Sequence, residues 1–86
     1  MKVHAAVVKE QGVTFAIIIV KRNVIQNTSL ARGTAGKASS LFPRMPIILM
    51  VQDGRGTPTY YGRRDVVKFL SRVPVNAIPW KQYTFS

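Results

Sequence analysis

The stretch PIILMVQDGRGTPTYYGRRDVVKFLSRV, residues 46–73, decides how this chain folds. Ile47 to Val51 is apolar at every position, so neither face of that strand can meet water, and it belongs at the centre of a sheet covered on both sides. Asp53-Gly54 followed by Arg55-Gly56 reads as a tight turn, because Asp initiates turns through its side chain and Gly supplies positive φ. Thr57 to Tyr61 returns as a strand in which Pro58 cannot donate to a ladder, which assigns it to a sheet edge. Gly62 breaks that strand. Beyond it Val66, Val67, Phe69, Leu70 and Val73 recur at helical spacing and form a broad apolar face, predicting a helix over about 63–73. Asp65 in the first turn and Arg72 in the last complement the helix dipole, and Pro74 stops the helix.

Upstream, Val3 to Val8 and Val13 to Val20 flank the polar break Lys9-Glu10-Gln11-Gly12, the pattern of an antiparallel hairpin. Phe15, Ile17 and Ile19 alternate with Ala16, Ile18 and Val20, so this second strand is also apolar on both faces and central. Lys21-Arg22-Asn23 ends it, and Val24-Ile25 reads as its continuation past a bend. Residues 27–42 are ambiguous. Ala31, Ala35 and Ala38 would share one helical face with Phe42, and Asn27 or Thr28 could cap a helix over about 29–41. Gly33 and Gly36 each cost about 1 kcal/mol relative to Ala inside a helix, which leaves a weak helix and a loop as equal readings. Gly33 to Ser39 resembles a phosphate loop only superficially, since Ala31 occupies the place of the first glycine and Ala38 that of the metal-binding hydroxyl. Downstream, Ile78, Trp80, Tyr83 and Phe85 concentrate aromatic mass that a small domain needs to bury, predicting a docked edge strand at the end of the sequence, with an aromatic anchor for a partner as the alternative.

With 86 residues the chain has room for one domain, residues 1–86, and its 47% hydrophobic content in periodic blocks argues for a folded core despite a net charge of +10. The expected class is α+β, a four- to five-stranded antiparallel or mixed sheet carrying the helix at 63–73 and the second at 29–41 if it forms. If it does not form, a second copy of the chain could cover the open face, making a homodimer. There is no Cys, so disulfides and thiolate chemistry are excluded. No apolar run approaches the length of a membrane span and the first residues lack a signal-type core, so the expected setting is cytoplasmic, with no membrane partner.

The inventory for catalysis is one His and three carboxylates. His4 lies in a strand, Glu10 and Asp53 in turns, and Asp65 at a helix start, so no pair is set up for acid–base work. A non-enzyme is expected, without cofactor or metal. The basic residues carry more information. Arg64, Lys68 and Arg72 recur every four residues and would form one column on the helix, where like charges repel by a few tenths of a kcal/mol per pair. Arg55 at the hairpin tip and Arg63 at the helix start extend it, and Tyr60 and Tyr61 would place aromatic planes beside it. Such a row suits a phosphate backbone with stacked bases. Nucleic acid or another polyanion is therefore the expected partner, with an acidic protein, in an interaction or assembly role, as the alternative.

Met45 to Met50, the Asp53-Gly54 turn, the strand ending at Gly62 and the helix through Leu70 resemble the closing β-β-α unit of thioredoxin-like domains, over residues 45–72. In that family a proline precedes the third strand, as Pro46 precedes the Ile47 strand here, whereas the preceding hairpin and Gly-rich crossover depart from the family's β-α-β opening. The active-site cysteine pair of that family has no counterpart here, so the resemblance implies a binding or scaffold descendant, not a redox enzyme.

Overall fold

The computed structural model describes residues 2–10 and 12–84 of the chain. They form a small α+β domain around a five-stranded mixed sheet: β1 (Lys2–Glu10), β2 (Val13–Ile19), β3 (Ile47–Gln52), β4 (Pro58–Tyr61) and β5 (Lys81–Thr84). Three helices accompany it: α1 (Arg22–Gln26), α2 (Thr28–Leu41) and α3 (Arg64–Leu70). The strand order is β4-β3-β2-β1-β5. Only β2 and β3 run parallel, as the α1-α2 crossover between them requires, and the other neighbours are antiparallel.

The two strands that are apolar on both faces lie side by side within the sheet, and their alternation sorts the core into two layers. Phe15, Ile17, Ile48 and Met50 face α3, together with Ala6, Val66, Leu70 and Ile78. Ala16, Ile18 and Leu49 face α2, together with Ala5, Ala31, Ala38 and Phe42. Burying Val66 and Leu70 of α3 in the first layer stabilises the fold by about 1.5–3 kcal/mol per side chain. Pro58 does stand on an edge strand, and β5 forms the opposite edge by pairing with β1. Phe42 meets Tyr83 edge to face at 5.0 Å, tying β5 to the α2 layer. Trp80 is half-buried in the α3 layer, and the expectation for Phe85 concerns a position outside the described residues.

The ambiguous segment is helical. Asn27 caps α2, its Oδ1 accepting from the Leu30 N–H at 3.2 Å, and Ala31 and Ala38 are buried against the sheet. α2 thus covers the face that a second copy would otherwise have to close. Val24 and Ile25 do not extend β2. Lys21 turns the chain, its carbonyl accepts from the Val24 N–H at 3.0 Å, and the five-residue α1 lays both side chains onto the α2 layer.

Candidate nucleic-acid interface

The cationic residues singled out above are set by three local devices. The first is the turn between β3 and β4. Asp53 Oδ1 accepts from the backbone N–H of Arg55 at 2.8 Å and of Thr57 at 2.9 Å, while the Gly56 N–H donates to Asp53 O at 3.0 Å. Gly56 takes φ 81°, and Gln52 Nε2 donates to its carbonyl at 3.0 Å. These bonds brace the tip, and Arg55 is exposed on it.

The second device is Gly62, which passes the chain from β4 to α3 at φ 155°. A Cβ here would stand 2.6 Å from Ile48 Cδ1 and 3.1 Å from the Ile47 carbonyl, so only glycine lets the connection run this close to β3. The third is the start of α3. Asp65 Oδ1 accepts from the Val66 N–H at 3.0 Å and pairs with Arg63 Nε at 2.8 Å. With both side chains more than half exposed, that ion pair contributes at most about 1 kcal/mol. It does change the local charge, because Arg63 is offset by Asp65.

Arg64 and Lys68 lie on the exposed side of α3, opposite the buried Val66 and Leu70. Arg72 does not continue their column. The helix ends at Leu70, three residues before the predicted end at Val73, and the Arg72 N–H donates to Phe69 O at 3.1 Å in a tighter turn. The reason is local: Val73 N–H bonds back to Leu70 O at 3.0 Å, which brings the chain round to Pro74. Arg72 remains next to Lys68 all the same, since both line a shallow recess of about 250 Å³ beside Phe69 and Asp65.

Arg55 opens onto a different recess. A cleft of about 630 Å³ runs between the hairpin tip and the segment after α3, lined by Arg55, Gln52, Ser71, Asn76 and Trp80 among others. Trp80 is fixed there by its Nε1–H donating to Val75 O at 3.0 Å. Sequence reasoning favoured packing for Trp80 over a role as an aromatic anchor for a partner, read Gln52 only as the polar end of its strand, and gave Asn76 no part in a site. Gln52 adjoins Arg55 through the turn itself, whereas Asn76 and Trp80 reach it from the segment after α3, a contact between elements distant in sequence.

The two tyrosines do not act together. Tyr60 and Tyr61 are consecutive in a strand and so point to opposite faces, Tyr60 into the α3 layer opposite Met50 and Tyr61 into the α2 layer opposite Leu49. Tyr60 alone is on the side of the cations, and its hydroxyl is shut off from solvent with no hydrogen-bond partner. Burial pushes its pKa up. A paired aromatic platform beside the cations is therefore not formed.

The remaining groups lie apart from this surface. His4 is exposed on β1 opposite Gln82 of β5, towards the other edge of the sheet. Among the described residues no three His, Asp or Glu side chains gather as metal ligands, and no helix is long and apolar enough to cross a membrane. No family model matches the chain, and neither a curated protein nor a solved structure matches it.

Proposed function

We propose that this protein is a non-enzymatic binding module that contacts nucleic acid, or another extended polyanion, through the β3-β4 turn and the exposed side of α3. The observation that carries this reading is the placement of Arg55, Arg64, Lys68 and Arg72, all exposed on one hairpin-helix unit whose two carboxylates are engaged within it. Arg64 and Lys68 would follow a phosphate backbone along α3, and Arg72, past the end of the helix, would meet it beside Lys68. The braced turn would hold Arg55 beside the Trp80 cleft, where an unstacked base could lie against an aromatic ring. Tyr60 and Tyr61 take the part of supporting residues in this arrangement.

Affinity in such a site is chiefly electrostatic, since no base-reading helix or sheet motif accompanies the cations. The test is a fluorescence titration of labelled single-stranded and duplex oligonucleotides at several salt concentrations. Binding that weakens steeply with salt, and more tightly to single strands than to duplex, supports the proposal. Absence of binding to either at low salt ends it. An acidic protein is the rival partner. Purification from the native host with a nuclease-resistant, stoichiometric protein would favour that rival.

A further inference from the structure

On the other side of the sheet a second cavity has a different character. It occupies about 450 Å³ between α1, α2 and the ends of β1 and β2. Its apolar wall is built by Val3, Ile18, Val20, Val24, Ala38 and Leu41, all of them members of the α2 layer. Lys2, Lys21 and Lys37 stand around it, contributed by β1, by the turn between β2 and α1 and by α2 respectively, and Thr34 adds a hydroxyl. None of the chain's three carboxylates, Glu10, Asp53 and Asp65, lines it.

β1, the turn into α1 and α2 thus each place a lysine on the lining of one apolar cavity, and no Asp or Glu joins them among the described lining residues. Each Lys is exposed, so its charge stays solvated while its stem can lie along the apolar wall. A neutral apolar ligand would use the wall and leave the lysines idle, and an inorganic anion would do the reverse. The group that uses both is a small organic acid with an aliphatic or aromatic body. The volume falls in the range of ordinary small-molecule sites, about 300–1,000 Å³.

We propose that the cavity between α2 and the β1-β2 end of the sheet binds a small amphipathic carboxylate, its body against Ile18, Val20 and Leu41 and its head among Lys2, Lys21 and Lys37. The site is independent of the nucleic-acid reading, which concerns the opposite face of the sheet, and either can fail without the other.

The experiment is an NMR titration of the full chain with octanoate, and with octanamide as the uncharged counterpart, following backbone amide shifts. The expected result is saturable shifts centred on Val3, Ile18, Val24, Thr34 and Leu41, with octanamide binding more weakly. Lys21→Glu with Lys37→Glu, both exposed and so compatible with folding, should weaken octanoate by about tenfold while leaving octanamide nearly unchanged. Thr34→Trp, which plugs the cavity from its half-buried rim, should remove binding of both while the spectrum stays dispersed. Shifts that are absent up to the solubility limit, that spread over α3 instead, or that the charge reversals leave unaltered would overturn the proposal.

Discussion

At the scale of single residues, Tyr60 and Gly62 show how tightly the chain is constrained where β4 hands over to α3. The Tyr60 hydroxyl is buried without a partner, and an unsatisfied buried hydroxyl costs about 1–3 kcal/mol. Tyr60→Phe should therefore raise stability in chemical denaturation by about 1 kcal/mol with an unchanged denaturant slope. The same residue sets a response to alkali. Its pKa is raised in the folded protein, so above pH ~10 the unfolded chain releases this proton first and folding loses stability as pH climbs. Tyr60→Phe should blunt that loss, a difference measurable as the gap between the two proteins' melting temperatures widening above pH ~10. Gly62 is the reverse case, a residue with no substitute. An alanine Cβ meeting Ile48 Cδ1 at 2.6 Å, on a backbone at φ 155°, should destabilise the protein by about 3 kcal/mol or more in the same measurement.

At the scale of elements, α2 is marginal by composition and stable by packing. Gly33 and Gly36 lie on its exposed side, and a Cβ at either would meet no atom within 4 Å. Gly33→Ala and Gly36→Ala should each stabilise the protein by about 0.5–1 kcal/mol, as read from thermal unfolding. This also explains what could be read in the sequence. β2, β3 and the hairpin to β4 were legible because they rest on alternation and on turn chemistry at Asp53 to Gly56, both short-range. α2 was undecided because its two glycines argue for a loop, while what overrides them is the burial of Ala31 and Ala38 against a sheet that local sequence does not contain. Val24 and Ile25 misled for a related reason, since two β-branched residues after a strand suit a strand in isolation, yet here they are half-buried by turning onto the α2 layer. The premature end of α3 follows from the turn bonds at Arg72 and Val73, which apolar periodicity through Val73 conceals.

At the scale of the whole molecule, the sheet separates two surfaces with different physical character. One side carries Arg64, Lys68 and Arg72, with Arg55 beyond them at the hairpin tip; the other holds an apolar cavity among three lysines. Of the candidate site, the exposure of Arg64 and Lys68 on one side of α3 was legible because spacing on a helix is a local property, whereas the departure of Arg72 from their column was not. The separation of Tyr60 from Tyr61, the pairing of Arg63 with Asp65 and the recruitment of Trp80 were not, because each depends on register or on a contact across elements. The central claim is that the α3 side, rather than the charge of the chain as a whole, carries binding to nucleic acid. Its most direct test is the salt dependence of single-strand affinity for the parent protein, for Arg64→Ala/Lys68→Ala/Arg72→Ala, and for Lys21→Glu/Lys37→Glu as a control of larger charge change. Each lost phosphate contact should lower the log–log slope by about 0.7, so the α3 variant should lose about 2 from the slope while the control keeps its slope near the parent value. Equal loss in both variants, or a parent slope preserved without the α3 cations, would contradict it.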